Sequence, residues 1–164
     1  MKQTVPFNTY VKLVLLAWLS MVGFDLFLHA GVLARLYAEP SPFLLPPERA
    51  FALIPVGYLS FLILAVLLVW LMARLSIKGW REGSKFGLQL GALSWGAFTL
   101  GLLSISTASP LLLAGWFVGQ TLELGIGGLV AGCGFERERL GRLFLWVLLF
   151  MLGAFVSSVI LQNL

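Results

Sequence analysis

Residues 24–29, Phe24-Asp25-Leu26-Phe27-Leu28-His29, lie inside an apolar run from Leu13 to Leu36. A run of that length reads as a membrane-spanning helix. Asp25 is costly in such a place, by about 2.5–3.5 kcal/mol at a helix centre on insertion scales. His29 follows four positions later, so an uninterrupted helix would carry both side chains on one face. That face organises the reading of the remaining chain.

The composition agrees with a membrane assignment. Of 164 residues, 60% are hydrophobic and 11% charged, against about 25% charged in a soluble domain. Five segments are long and apolar enough to span, near 12–36, 49–73, 84–107, 110–133 and 141–162. The expectation is an all-α, polytopic, integral membrane bundle of five transmembrane helices, forming one domain over 1–164. The net charge of +4 is no nucleic-acid signal, because the basic residues flank the apolar runs, as topology determinants do. The lone Cys133 excludes an intrachain disulfide and the lone His29 a bis-His haem within the chain. The N-terminal run continues past the length of a signal-peptide core, so it reads as a signal anchor.

Lys2, Lys12, Arg74, Lys78, Arg81, Lys85, Arg137, Arg139 and Arg142 fall on one side of this arrangement, and Arg35 and Arg49 on the other. Nine against two predicts a cytoplasmic N-terminus and an external C-terminus in the cell's inner (plasma) membrane. The first connection then faces out. Pro40, Pro42, Pro46 and Pro47 forbid a continuous helix there, and Pro46-Pro47-Glu48 reads as a helix start. Phe43, Leu44 and Leu45 read either as an apolar flap or as part of a rigid turn. The short connection around Ser109-Pro110 makes the third and fourth segments an antiparallel hairpin.

Gly83, Gly87 and Gly91 in the third segment, and Gly115, Gly119, Gly128 and Gly132 in the fourth, have the spacing of small residues that let helices approach closely in lipid. Glu123 shares the small-residue face of the fourth segment, with Gln120 one turn away. Glu123 and Asp25 each lie about 13 residues, or about 20 Å, from a helix end, which puts both near mid-membrane. Asp25, His29 and Glu123 are therefore expected to form a polar centre, with Gln120 and Trp95 as further binding candidates. Trp70, Trp80, Trp116 and Trp146 read as an aromatic belt.

Three functional readings follow. The polar groups pair to fix packing; or they bind or translocate a proton, a cation or a small ligand; or they perform acid–base chemistry on a lipid-like substrate. In the first, a buried carboxyl pair would share a proton, since adjacent carboxylates repel. Asp25, His29 and Glu123 would make a mixed oxygen and nitrogen metal set, but no strong metal signature accompanies them, and no cofactor is indicated. The fifth segment, uncharged after Arg142, reads as lipid-facing or as the contact to a second copy or another subunit.

Asp25, His29, Leu33 and Tyr37, followed by Pro46-Pro47-Glu48 and by Gly83, Gly87 and Gly91, resemble a family of small bacterial integral-membrane proteins of unknown function. In that family a four-helix unit has a Tyr at the end of its first helix and an Arg-Pro-Pro-Glu-type loop. Here Leu45 stands in place of the Arg, and a fifth helix is added. The resemblance covers residues 13–133 and implies a fold but no activity. The intramembrane acidic groups and His also resemble those of emopamil-binding-type sterol isomerases, which implies the acid–base alternative.

Overall fold

The computed structural model describes residues 6–39, 41–136 and 140–163. It is all helical: α1 (Phe7–Phe27), a π-helical turn (Leu28–Val32), α2 (Ala34–Ala38), α3 (Pro47–Leu75), α4 (Trp80–Ile105), α5 (Pro110–Phe135) and α6 (Gly141–Gln162). Five helical stretches are long and apolar enough to cross a membrane. The protein is thus a small all-α membrane-spanning bundle.

The helix ends follow local chemistry. α3 begins on Pro46 and Pro47, with Glu48 in the first turn, where a missing N–H costs nothing and negative charge is favoured. Ser109 caps α5 by accepting the Leu112 N–H at 3.1 Å, ahead of Pro110. Between α3 and α4, Gly79 takes φ +84°, a conformation open chiefly to glycine.

α4 and α5 form the expected hairpin, and glycine sets their distance. A Cβ on Gly83 or Gly87 would collide with the backbone oxygen of Gly128 or Leu124, and one on Gly132 with the Gly79 oxygen. The Gly79 N–H donates directly to the Gly132 carbonyl at 3.0 Å. Gly115 and Gly119 serve another contact: a Cβ on either would meet the side chain of Leu33 or Leu28, so they seat the end of the first span on α5.

The core lies between α1, α3 and α5, where Leu13, Ala17, Met21, Leu68, Met72 and Leu124 are buried together. α6 lies on α1 and the π turn, burying Leu143, Val147, Ala154 and Ser158. Its inner face is thus spent on this chain, and its outer face is apolar and exposed.

Two features depart from five plain helices. The expected helix 12–36 starts at Phe7 and is broken. The Leu33 N–H bonds the Leu28 carbonyl, five residues back, at 2.7 Å, and the chain turns at Leu33 before α2. The other departure is in α3. Its second half buries Ala65, Leu68, Val69 and Met72, whereas residues 47–60 are exposed except for half-buried Tyr58. Pro55 interrupts the hydrogen bonding of that first half. Trp18 Nε1 ties α1 to α3 at the Tyr58 carbonyl, at 2.8 Å. Beyond this tie α3 stands away from the bundle.

Candidate lipid-facing site

The π turn builds the site. His29 and Tyr37 are eight residues apart, which in a regular helix leaves them about 80° out of line. A π turn absorbs one residue, so the spacing counts as seven, or about two turns. The Tyr37 hydroxyl lies 2.5 Å from His29 Nδ1 as a result. Gln162, near the end of α6, donates to the Ala30 carbonyl at 2.7 Å and so supplies a donor inside the irregular turn.

From there a polar chain runs inward. Trp116 Nε1 donates to the Tyr37 oxygen at 2.5 Å. Burial, with the Asp25 carboxylate nearby, pushes the Tyr37 phenol up to about 12, against the opposing pull of the Trp116 bond. The phenol therefore keeps its proton at neutral pH and donates it to His29 Nδ1. For a neutral ring this assigns the imidazole proton to Nε2. Nε2 lies 3.2 Å from Asp25 Oδ1, which accepts it. Gln120 reaches the same Nε2 at 3.4 Å with its amide group. A protonated Nε2 calls for the amide oxygen there, which turns the NH2 group away from the ring.

Asp25, only 8% exposed, and His29 meet, and Gln120 joins them. Glu123 does not. It is fully buried, and neither of its oxygens has a partner at close hydrogen-bond geometry among the described residues, although the Gln120 amide approaches as a loose side-chain donor and Asp25 lies within electrostatic range. Among the described residues no three His, Cys, Asp or Glu side chains are grouped to hold a metal. The mixed set of Asp25, His29 and Glu123 is not assembled.

Tyr37, Trp116 and Tyr58 are site residues that the sequence reading did not place in the site. Trp116, read as belt, turns its indole inward; it stands four residues before Gln120 and seven before Glu123, a one-face spacing that could have placed it. Tyr37 gave no such signal, because its register depends on the π turn. Phe43, the candidate flap, packs its ring on Trp116 with centroids 6.0 Å apart.

The cluster closes one end of a cavity of about 630 Å³. α3 supplies Tyr58, Phe61 and the edge at Gly57, α4 supplies Trp95 and Phe98, and Asp25, His29, Tyr37, Trp116 and Gln120 form the polar end. The volume is within the range of pockets for drug-sized ligands. The first half of α3, exposed except at half-buried Tyr58, forms one wall of the cavity. The expected binding residues Asp25, His29, Gln120 and Trp95 all line it, while Glu123 lies behind.

Fold and site together define a small all-α membrane-spanning protein with a cavity that joins an apolar lining to the Asp25, His29 and Tyr37 cluster. No protein-family model, curated protein or solved structure matches the chain.

Proposed function

We propose that this protein binds a lipid-like amphiphile that enters from the bilayer between α3 and α4. The supporting observation is a cavity whose apolar walls end on Asp25, His29, Tyr37 and Gln120. The walls would supply affinity by burying apolar surface, and the few polar groups would orient one end of the ligand.

The hydrogen bonding favours binding over catalysis by His29. Nδ1 accepts from Tyr37, and Nε2 faces both Asp25 and Gln120, which leaves no ring nitrogen free to take a substrate proton. An acid–base enzyme, the second reading, would have to work through the second oxygen of Asp25, which has no hydrogen bond among the described residues.

We further propose a cytoplasmic N-terminus in the plasma membrane. Of the nine basic residues on the proposed inner side, Lys12, Arg74, Lys78, Arg81, Lys85 and Arg142 are among the described residues, while Lys2, Arg137 and Arg139 lie outside them. In that orientation the cavity opens in the outer half of the membrane, below the proline loop. Pro40 of that loop also lies outside the described residues. We also propose kinship with the small bacterial membrane proteins that the sequence resembles, in which the Tyr at the end of the first helix would correspond to Tyr37, the partner of His29 here.

Native mass spectrometry of the protein extracted in mild detergent tests the binding reading. A Cβ on Gly57 meets nothing within 4 Å, so Gly57→Trp should fill the cavity without disturbing the fold. Wild type should retain a bilayer-derived molecule that this variant loses. Equal retention, or none by wild type, would overturn the reading.

A further inference from the structure

The unclaimed polar groups and the rings in the cavity say what kind of molecule fits. At the polar end the Tyr37 oxygen takes the Trp116 proton and gives its own to His29, which leaves one lone pair to accept. Asp25 spends one oxygen on His29 and keeps the other. The Tyr58 hydroxyl lines the cavity and has no hydrogen bond among the described residues. Among the described residues no Lys or Arg lines the cavity. Donors stand there too, since Trp95 brings an indole N–H and Tyr58 a hydroxyl, but an anionic end would place its charge beside the Asp25 carboxyl, whereas a hydroxyl can donate to Asp25 and still accept from these groups. The complementary polar end is a hydrogen-bond donor.

The walls add a shape. Tyr58 and Phe61, one turn apart on α3, have ring centroids 6.3 Å apart. Trp95 and Phe98, one turn apart on α4, form an edge-to-face pair at 5.3 Å. Both pairs face the same cavity from different helices. Aromatic rings gain from offset or edge contacts with a further ring, so two such pairs flanking one space suit a planar ring.

We propose that the cavity takes a lipid-soluble phenol, a planar hydroxylated ring on an apolar tail, with its hydroxyl donating to Asp25 and its ring held between the Tyr58–Phe61 and Trp95–Phe98 pairs. This rests on the reading of the cavity as a lipid-binding site. A hydroquinone has the same chemistry with a second hydroxyl. The tail would leave through the gap between α3 and α4, where Gly57 offers no side chain to block it.

Four probes of equal tail length test each part: 4-decylphenol; 4-decylanisole, which keeps the ring and lacks the donor; 4-decylcyclohexanol, which keeps the donor and lacks the flat ring; and decylammonium. Affinities would be measured by native mass spectrometry in one detergent, with Gly57→Trp as the blocked control. The phenol should bind about threefold or more tighter than the anisole, as for one added hydrogen bond. It should bind about threefold or more tighter than the cyclohexanol. Asp25→Asn should shrink the preference over the anisole while leaving the anisole's own affinity in place. Equal binding of phenol and anisole would overturn the donor, equal binding of the cyclohexanol would overturn the ring, and tighter binding of decylammonium would replace the phenol with a cation. If none binds while wild type still retains a bilayer molecule, the phenol assignment alone falls. If none binds and nothing is retained, the lipid-binding reading falls with it.

Discussion

The Tyr37 hydroxyl reaches His29 Nδ1 at 2.5 Å across eight residues of chain because a π turn between them absorbs one residue. The bond places the outer end of the polar chain, and the imidazole proton follows from it. π turns inside helices are frequent at functional sites, and this one lies beside the cavity.

Tyr37→Phe should cost about 1–3 kcal/mol of stability, because it strands the Trp116 N–H and His29 Nδ1 together. A double-mutant cycle with Trp116→Phe should show coupling of about 0.5 kcal/mol or more. Thermal unfolding in detergent measures both. Additive losses would mean that the two side chains do not share a bond.

The same phenol predicts an alkaline limb. Its value is about 10 when unfolded and about 12 when folded, so the folded state favours the neutral form. That contribution is complete below about pH 10 and is lost as pH rises through 12. Wild type should lose stability over that window more steeply than Tyr37→Phe. Parallel curves would show that Tyr37 is not held neutral by the fold.

Glu123→Leu tests whether the carboxyl is there for packing. With no partner at close geometry for either oxygen, leucine removes a buried polar group and gives up only the loose approach of the Gln120 amide. Stability should stay level or rise by about 1–3 kcal/mol. A loss larger than about 1 kcal/mol would indicate a partner and return Glu123 to a structural role.

Gly87→Leu should destabilise strongly, by more than about 3 kcal/mol, because its Cβ meets the Leu124 backbone, which cannot move aside. Gly119→Leu should cost less, since the Leu28 side chain it meets can turn away. Gly153→Leu, with nothing within 4 Å, should stay within about 0.5 kcal/mol. Unfolding temperatures in detergent give the order, and equal effects would remove glycine contact as the basis of α4–α5 packing.

A topology reporter at the C-terminus should be active outside, and one inserted near Lys78 active inside, from the charge asymmetry. The reverse pattern would place the cavity in the inner half of the membrane.

Much of the bundle could be read from order and composition. Each span is a long apolar run, and lipid leaves such a run no alternative to internal hydrogen bonding. The glycine spacing marked the α4–α5 contact because close approach in lipid requires small side chains at fixed intervals. Asp25 and His29 stood out because ionisable groups are rare in apolar helices. Tertiary structure decided the rest. Tyr37 joins His29 only through a π turn, whose irregular backbone Gln162 supports from 132 residues away. The cavity exists because the first half of α3 leaves the bundle, and although Pro55 marks that half as irregular, a proline in an apolar helix does not say which half packs on protein and which on lipid. Glu123 has the right face and depth for the polar centre, yet partnership needs side-chain reach as well as helical phase, and only the packed helices fix that.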